Sequence, residues 1–194
     1  MSHFFAYISR LRWIQRWSLM RNAIPEDVAT HSWEVGTLAH VLGVIHNNQN
    51  PNNKIDAHKL ATCGLYHDAT EVITGDMPTP VKYHSKAMRN AYKGVEQRAE
   101  KELLNLLPTE MHEAFKGVLI EHELPEVYQR LLKAADRLSA LLKCQAELRA
   151  GNKEFEHAAQ EILKRLNEEQ QPEVLYFLEN FAPAYALSLD HLLK

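Results

Sequence analysis

Apolar positions recur every three or four residues along most of the chain, and strict apolar–polar alternation is scarce. That period predicts helices rather than strands. Phe5, Ile8 and Leu11 mark a short first helix, and Val35, Leu38 and Leu42 stripe a second that starts near Thr30, a good N-cap type. The polar stretch 47–53 with Pro51 reads as a loop. A third helix is predicted over 56–72. It stops before Gly75-Asp76-Met77-Pro78-Thr79-Pro80, whose two prolines oppose a regular helix and hold Met77 and Thr79 extended. Further helices are predicted over 85–107, closed by Pro108, and over 109–121, ahead of Pro125. Over 126–150, Leu131, Ala135, Leu138 and Leu142 share one face, and Gly151 supplies a stop. A charged helix over 153–169 and a last one over 173–185, interrupted near Pro183, complete an all-α reading. With no internal repeat or low-complexity linker, the expectation is a single domain spanning 1–194.

Composition narrows the function classes. At 194 residues the chain is long enough to bury a core without staples. A net charge of −3 excludes a strongly basic coat for a nucleic-acid polymer. Cys63 and Cys144 form no CxxC pair, which disfavours a thiol-built zinc site or a disulfide scaffold and fits a reducing, cytoplasmic setting. The longest apolar-rich stretch covers only 35–45 and contains His40, so no bilayer span is expected, and the N-terminus lacks the features of a signal peptide. Eleven histidines stand against two cysteines, so any bound metal is held by nitrogen and oxygen.

Candidate chemistry begins at His67-Asp68 with Glu71. On a helix, neighbours differ by about 100° and positions four apart by about 40°. The three side chains then share one arc that starts at the core side marked by Leu60 and Cys63. Inward-facing imidazole and carboxylates need partners or a cation. Taken alone, a surface acid pair beside a hydrogen-bonded histidine is the plainer reading. His31 opens the second helix on the same face as Val35, Leu38 and Leu42. By itself it reads as a satisfied core histidine. Asp136 lies in the apolar run Leu131-Leu132-Lys133-Ala134-Ala135-Asp136-Arg137-Leu138, where a cation or an i,i+3 pair with Lys133 would satisfy it. His122, between Glu121 and Glu123, has no second histidine–acid pair to make another metal site. His46, His58, His84, His112, His157 and His191 lie among polar residues and read as surface groups.

The order His31, His67-Asp68, Asp136 on three helices resembles the H…HD…D pattern of the HD-domain metal phosphohydrolases. Arg16-Trp17, Val28-Ala29-Thr30-His31-Ser32, Tyr66-His67-Asp68-Ala69-Thr70-Glu71 and Thr74-Gly75-Asp76-Met77-Pro78-Thr79-Pro80-Val81-Lys82-Tyr83 resemble the bacterial 5′-deoxynucleotidases of the YfbR type, over essentially the whole chain. Thr30 departs from the acid that many HD proteins carry there. The resemblance implies an HD-type helical bundle holding one divalent metal ion on His31, His67, Asp68 and Asp136. Such mixed nitrogen–oxygen ligation suits Mn, Co, Fe, Mg or Zn. It implies hydrolysis of deoxyribonucleoside 5′-monophosphates, with Glu71 as general base, Arg16 orienting the phosphate and Trp17 against the sugar. Substrate contacts would come from Arg16, Trp17, Asp68, Asp76, Met77, Pro78, Thr79 and Asp136. It also implies a homodimer, for which Trp13, Tyr176 and Phe177 offer aromatic positions that core packing explains equally well.

Charge agrees with the phosphate role. Residues 1–25 carry Arg10, Arg12, Arg16 and Arg21 and no acid, and a guanidinium matches phosphate oxygens with two parallel bonds. For Arg10 and Arg12 a solvated basic face is the plainer reading. Two alternatives remain at this point: an HD hydrolase of a triphosphate or cyclic dinucleotide, and a catalytically silent nucleotide sensor. The short chain with one metal constellation argues against the first, and Glu71, which a sensor does not need, against the second.

Overall fold

The structure, a computed structural model, describes residues 1–193. Helices α1 (Phe4–Ile8), α2 (Val28–Gln49), α3 (Ala57–Tyr66), α4 (Glu71–Thr74), α5 (Thr79–Lys82), α6 (Lys86–Asn105), α7 (His112–Leu119), α8 (Glu126–Arg149), α9 (Glu156–Glu168), α10 (Pro172–Asn180) and α11 (Leu189–Leu192) form an all-α bundle. No strand occurs among the described residues. One isolated bridge, Gln15 with Asp27, closes the base of the 15–27 segment.

The long helices α2 and α8 carry the core. Val35, Leu38 and Leu42 of α2 pack with Leu60 and Cys63 of α3, Leu131, Leu138 and Leu142 of α8, and Val174 and Phe177 of α10. A second cluster joins Phe4 to Leu103, Leu107 and Leu119 under the α3–α4 connection. Phe4 and Leu11 are the buried residues of the N-terminal turns, and Phe5, expected on that face, is exposed. The difference follows from the change of helix type, because α1 gives way to a 3₁₀ turn over Ser9–Trp13. Phe177 is core and Trp13 and Tyr176 are exposed, which separates the three expected aromatics.

Other boundaries moved for identifiable reasons. Asp27, not Thr30, caps α2, its carboxylate accepting from the Thr30 N–H at 2.8 Å. Asp56 and Ser85 cap α3 and α6 in the same way. The helix expected over 56–72 ends at Tyr66, and residues 67–70 turn before α4. There the backbone bonds tighten to Ala69 N–H to Tyr66 O and Glu71 N–H to Asp68 O. The His67 ring takes one of the last α3 carbonyls, donating from Nδ1 to Gly64 O at 2.8 Å, which satisfies a helix-end acceptor with a side chain. Thr79, expected extended, instead opens α5 with Pro80 in the first turn, where a missing N–H has no helical partner to lose. His46, expected at the surface, is buried with Nδ1 2.7 Å from Glu173, and Arg130 donates to that carboxylate at 2.8 and 2.9 Å.

Helices α2 and α3 meet at glycines. A Cβ on Gly64 would lie 2.7 Å from the Gly36 Cα, and one on Gly36 would lie 3.2 Å from the Ala61 carbonyl oxygen. Backbone cannot yield as a flexible side chain can, so this crossing sets the separation of the helices that carry His31 and His67. Gly64→Ala is therefore expected to lower stability by about 1–3 kcal/mol. Gly94→Ala, at an open position inside α6, is expected to raise it by about 0.5–1 kcal/mol. Urea denaturation of the two variants beside the parent checks both signs.

Candidate metal centre and phosphate site

Three elements converge on one spot. His31 comes from the second turn of α2, His67 and Asp68 from the turn after α3, and Asp136 from the middle of α8. The ligand atoms of His31, His67 and Asp136 lie within 4.8 Å of one another. Asp68 joins them, its Oδ2 standing 3.0 Å from His67 Nε2 and 3.5 Å from His31 Nε2. Asp136 Oδ1 is 3.2 Å from His31 Nε2.

The far nitrogens decide the chemistry of the near ones. A carbonyl only accepts, so His67 Nδ1 donates to Gly64 O. His31 Nδ1 stands 3.0 Å from Ser139 Oγ, and that hydroxyl donates to Glu34 Oε2 at 2.6 Å. With its own proton committed, Ser139 accepts from His31 Nδ1–H. With neutral rings both Nε2 atoms turn lone pairs toward carboxylate oxygens, and both are buried without a hydrogen-bond partner. Lone pair against oxygen is repulsive unless a proton or a cation sits between. Burial holds His31 below its ordinary pKa. Asp68 and Asp136 outweigh burial at His67 and push it up to about 9, and Asp68 lies well below the usual carboxylate range against His67, His31 and Arg16. The donor set fits one divalent cation.

Glu71, at the start of α4, reaches the same wall. Its Oε2 is buried and unpaired. Burial, with Asp68 and Asp76 nearby, pushes its carboxyl up to about 10. A cavity of about 400 Å³ opens here, lined by His67, Asp68, Glu71 and Asp136 and by Lys82 and Lys93 further out. A second hollow of about 200 Å³ is lined by Arg16, Trp17, Met20, Asp76, Met77, Pro78 and Thr79. Arg16 stands between the two. Its Nη1 donates to Asp68 Oδ2 at 3.3 Å, and its Nε lies 2.8 Å from Glu26 Oε1. Every site residue expected from the sequence borders one of these spaces or the buried cluster behind them.

The sequence profile of the 5′-deoxynucleotidase YfbR-like family matches residues 3–185. The chain belongs to that family. It is 46% identical over 192 residues to 5′-deoxynucleotidases from Yersinia pestis and Yersinia pseudotuberculosis, covering 99% of this chain and 97% of theirs. Its fold is similar to an HD-domain phosphohydrolase from Listeria innocua, with TM-score 0.76, 24% identity and coverage of 96% of this chain and 90% of that one. It is also similar to the cyanophage S-2L HD phosphohydrolase DatZ, solved bound to dA and one catalytic Zn²⁺, with TM-score 0.62, 19% identity and coverage of 92% and 95%.

Within this YfbR-like site, four residues were not anticipated: Glu26, Glu34, Gly64 and Ser139. Ser139 carried a faint signal, since it is a lone polar residue in an apolar run, one turn after Asp136. Glu34 stands one turn after His31 in the same way. Glu26 and Gly64 carried none, because Glu26 meets Arg16 only when the 15–27 segment closes on itself and Gly64 acts through its backbone carbonyl. An outer partner that orients a ligating imidazole tunes affinity by tenfold or more. Ser139→Ala is expected to weaken Mn²⁺ or Co²⁺ binding about 10–100-fold with the fold intact. Calorimetric metal titration beside the circular dichroism spectrum checks it.

Proposed function

We propose that this chain hydrolyses deoxyribonucleoside 5′-monophosphates to deoxyribonucleoside and phosphate, using one divalent metal ion held by His31, His67, Asp68 and Asp136. It is a phosphoric monoester hydrolase of the 5′-deoxynucleotidase family. The observation that carries the reading is the unpaired, buried Glu71 Oε2 on the wall of the cavity that opens over the histidine–aspartate cluster. A nucleotide sensor has no use for an acceptor held there.

A divalent ion in this site supplies Lewis-acid stabilisation of phosphoryl charge and lowers the pKa of water, and its charge opposes the rise of the Glu71 pKa. Water attacks phosphorus in line, Glu71 accepts its proton, and the P–O5′ bond breaks as O5′ takes a proton from solvent, releasing the deoxyribonucleoside. No covalent enzyme intermediate is needed. Arg16, held on both sides by Glu26 and Asp68, presents its remaining donors to the phosphate. Trp17 lies along the sugar and fills the space a 2′-hydroxyl would take. Asp76 faces the 3′-hydroxyl side, and Met77, Pro78 and Thr79 close the nucleoside hollow. The two-nitrogen, two-oxygen donor set suits Mn, Co, Fe, Mg or Zn. Two buried free cysteines agree with a cytoplasmic setting, and no helix among the described residues is long and apolar enough to cross a membrane. The family resemblance and the exposed rings of Trp13 and Tyr176 support a homodimer.

Glu71→Gln is expected to lower kcat about 10²–10⁴-fold while keeping its metal. Phosphate-release kinetics with elemental analysis test it, and near-normal turnover would overturn the base assignment. Chelation is expected to abolish phosphate release and lower the melting temperature, because two inward carboxylates lose their counter-charge. Re-addition of Mn²⁺ or Co²⁺ should restore both. A screen against deoxyribo- and ribonucleoside monophosphates tests the substrate class, and equal rates on both would overturn it.

A further inference from the structure

Trp17 is a bulky residue with φ +57°, a left-handed conformation that persists only where its surroundings hold it. The chain runs from Trp17 through a short loop to Glu26, whose backbone oxygen accepts from the Arg16 N–H at 2.9 Å. What holds this loop is not part of either cavity. Glu147, near the end of α8, is fully buried. One oxygen accepts from the Ile24 N–H at 2.9 Å and the other from the Ala23 N–H at 2.9 Å and from Asn152 Nδ2 at 2.7 Å. Lys143 donates both to this carboxylate and to the Ile24 carbonyl. Asn152 also donates to the Arg21 carbonyl at 2.7 Å. Lys143 Nζ lies 5.3 Å from the centre of the Phe155 ring, against which the Trp17 ring packs edge-on at 5.3 Å.

We propose that Glu147 is a positioning residue for the reaction: its carboxylate anchors the 17–27 loop so that Trp17 and Arg16 meet the nucleotide in one fixed geometry. Burying a charge pair adds little net stability over apolar packing, but it ties named backbone groups to one place. Two adjacent amide donors, 123 and 124 residues away in sequence, are tied here. Glu147 touches no substrate and acts through Trp17 and Arg16. The inference rests on the substrate roles proposed for those two residues.

The test compares Glu147→Gln, Glu147→Ala, Asn152→Ala and Trp17→Ala with the parent, each loaded with the same metal and assayed on dAMP and AMP. In Glu147→Gln, amide exchange at Ala23 and Ile24 is expected to speed about tenfold or more. KM for dAMP is expected to rise about tenfold and the preference for dAMP over AMP to fall about fivefold, with metal content unchanged. Asn152→Ala should shift the same quantities in the same direction, less far, and it carries the test together with Glu147→Gln if Glu147→Ala does not fold. A purely structural role would lower only the active fraction, leaving KM and the preference as in the parent, and that result overturns the proposal. Unchanged exchange at Ala23 and Ile24 overturns it as well. If Trp17→Ala moves KM and preference while Glu147→Gln does not, the anchor alone fails. If Trp17→Ala moves neither, the substrate reading of Trp17 fails and takes the anchor with it.

Discussion

Everything in this protein is arranged around a repulsion. Two imidazole nitrogens and two carboxylates face one another at the wall of the cavity, and both imidazoles have already given their other N–H to a fixed acceptor. With neutral rings, lone pairs and negative oxygens cannot satisfy each other, so the group calls for a proton or a cation between them. The proposed divalent cation would supply that charge, and the cavity beside the cluster is where the proposed phosphate and water would sit.

The scaffold does this with backbone contacts more than with side-chain variety. The Gly36–Gly64 crossing brings α2 and α3 close enough for the His31 and His67 rings to stand 5.1 Å apart. Gly64 also supplies the carbonyl that orients His67, so one residue sets both the helix separation and the tautomer. Helix α8 serves three roles along its length. Asp136 faces the cluster, Ser139 relays His31 to Glu34, and the Lys143–Glu147 pair grips the loop that follows Trp17.

Much of this was legible in the chain. Eleven histidines with two cysteines, and the order His31, His67-Asp68, Asp136, indicated a nitrogen–oxygen centre on three helices. The stripes of α2 and α8 were readable because a helix with one buried face repeats its apolar residues every three to four positions. The path between His67 and Glu71 was not. A continuous helix and a helix broken by a tight turn have the same local pattern there, and the break depends on His67 bonding to Gly64. His46 sat in a polar sequence yet is buried, because its partner Glu173, itself held by Arg130, arrives from a helix 127 positions away.

The sequence alone determined the helical class, the family pattern and the residue types able to hold a hard cation, since these depend on local periodicity and on the chemistry of single side chains. Tertiary structure alone decided which nitrogen of each histidine faces the cluster, where Arg16 is clamped, and what holds Trp17 in its strained turn. Those outcomes depend on partners brought together by packing across the bundle, such as Ser139 for His31 and Asp68 for Arg16, and no spacing along the chain encodes such long-range hydrogen bonds.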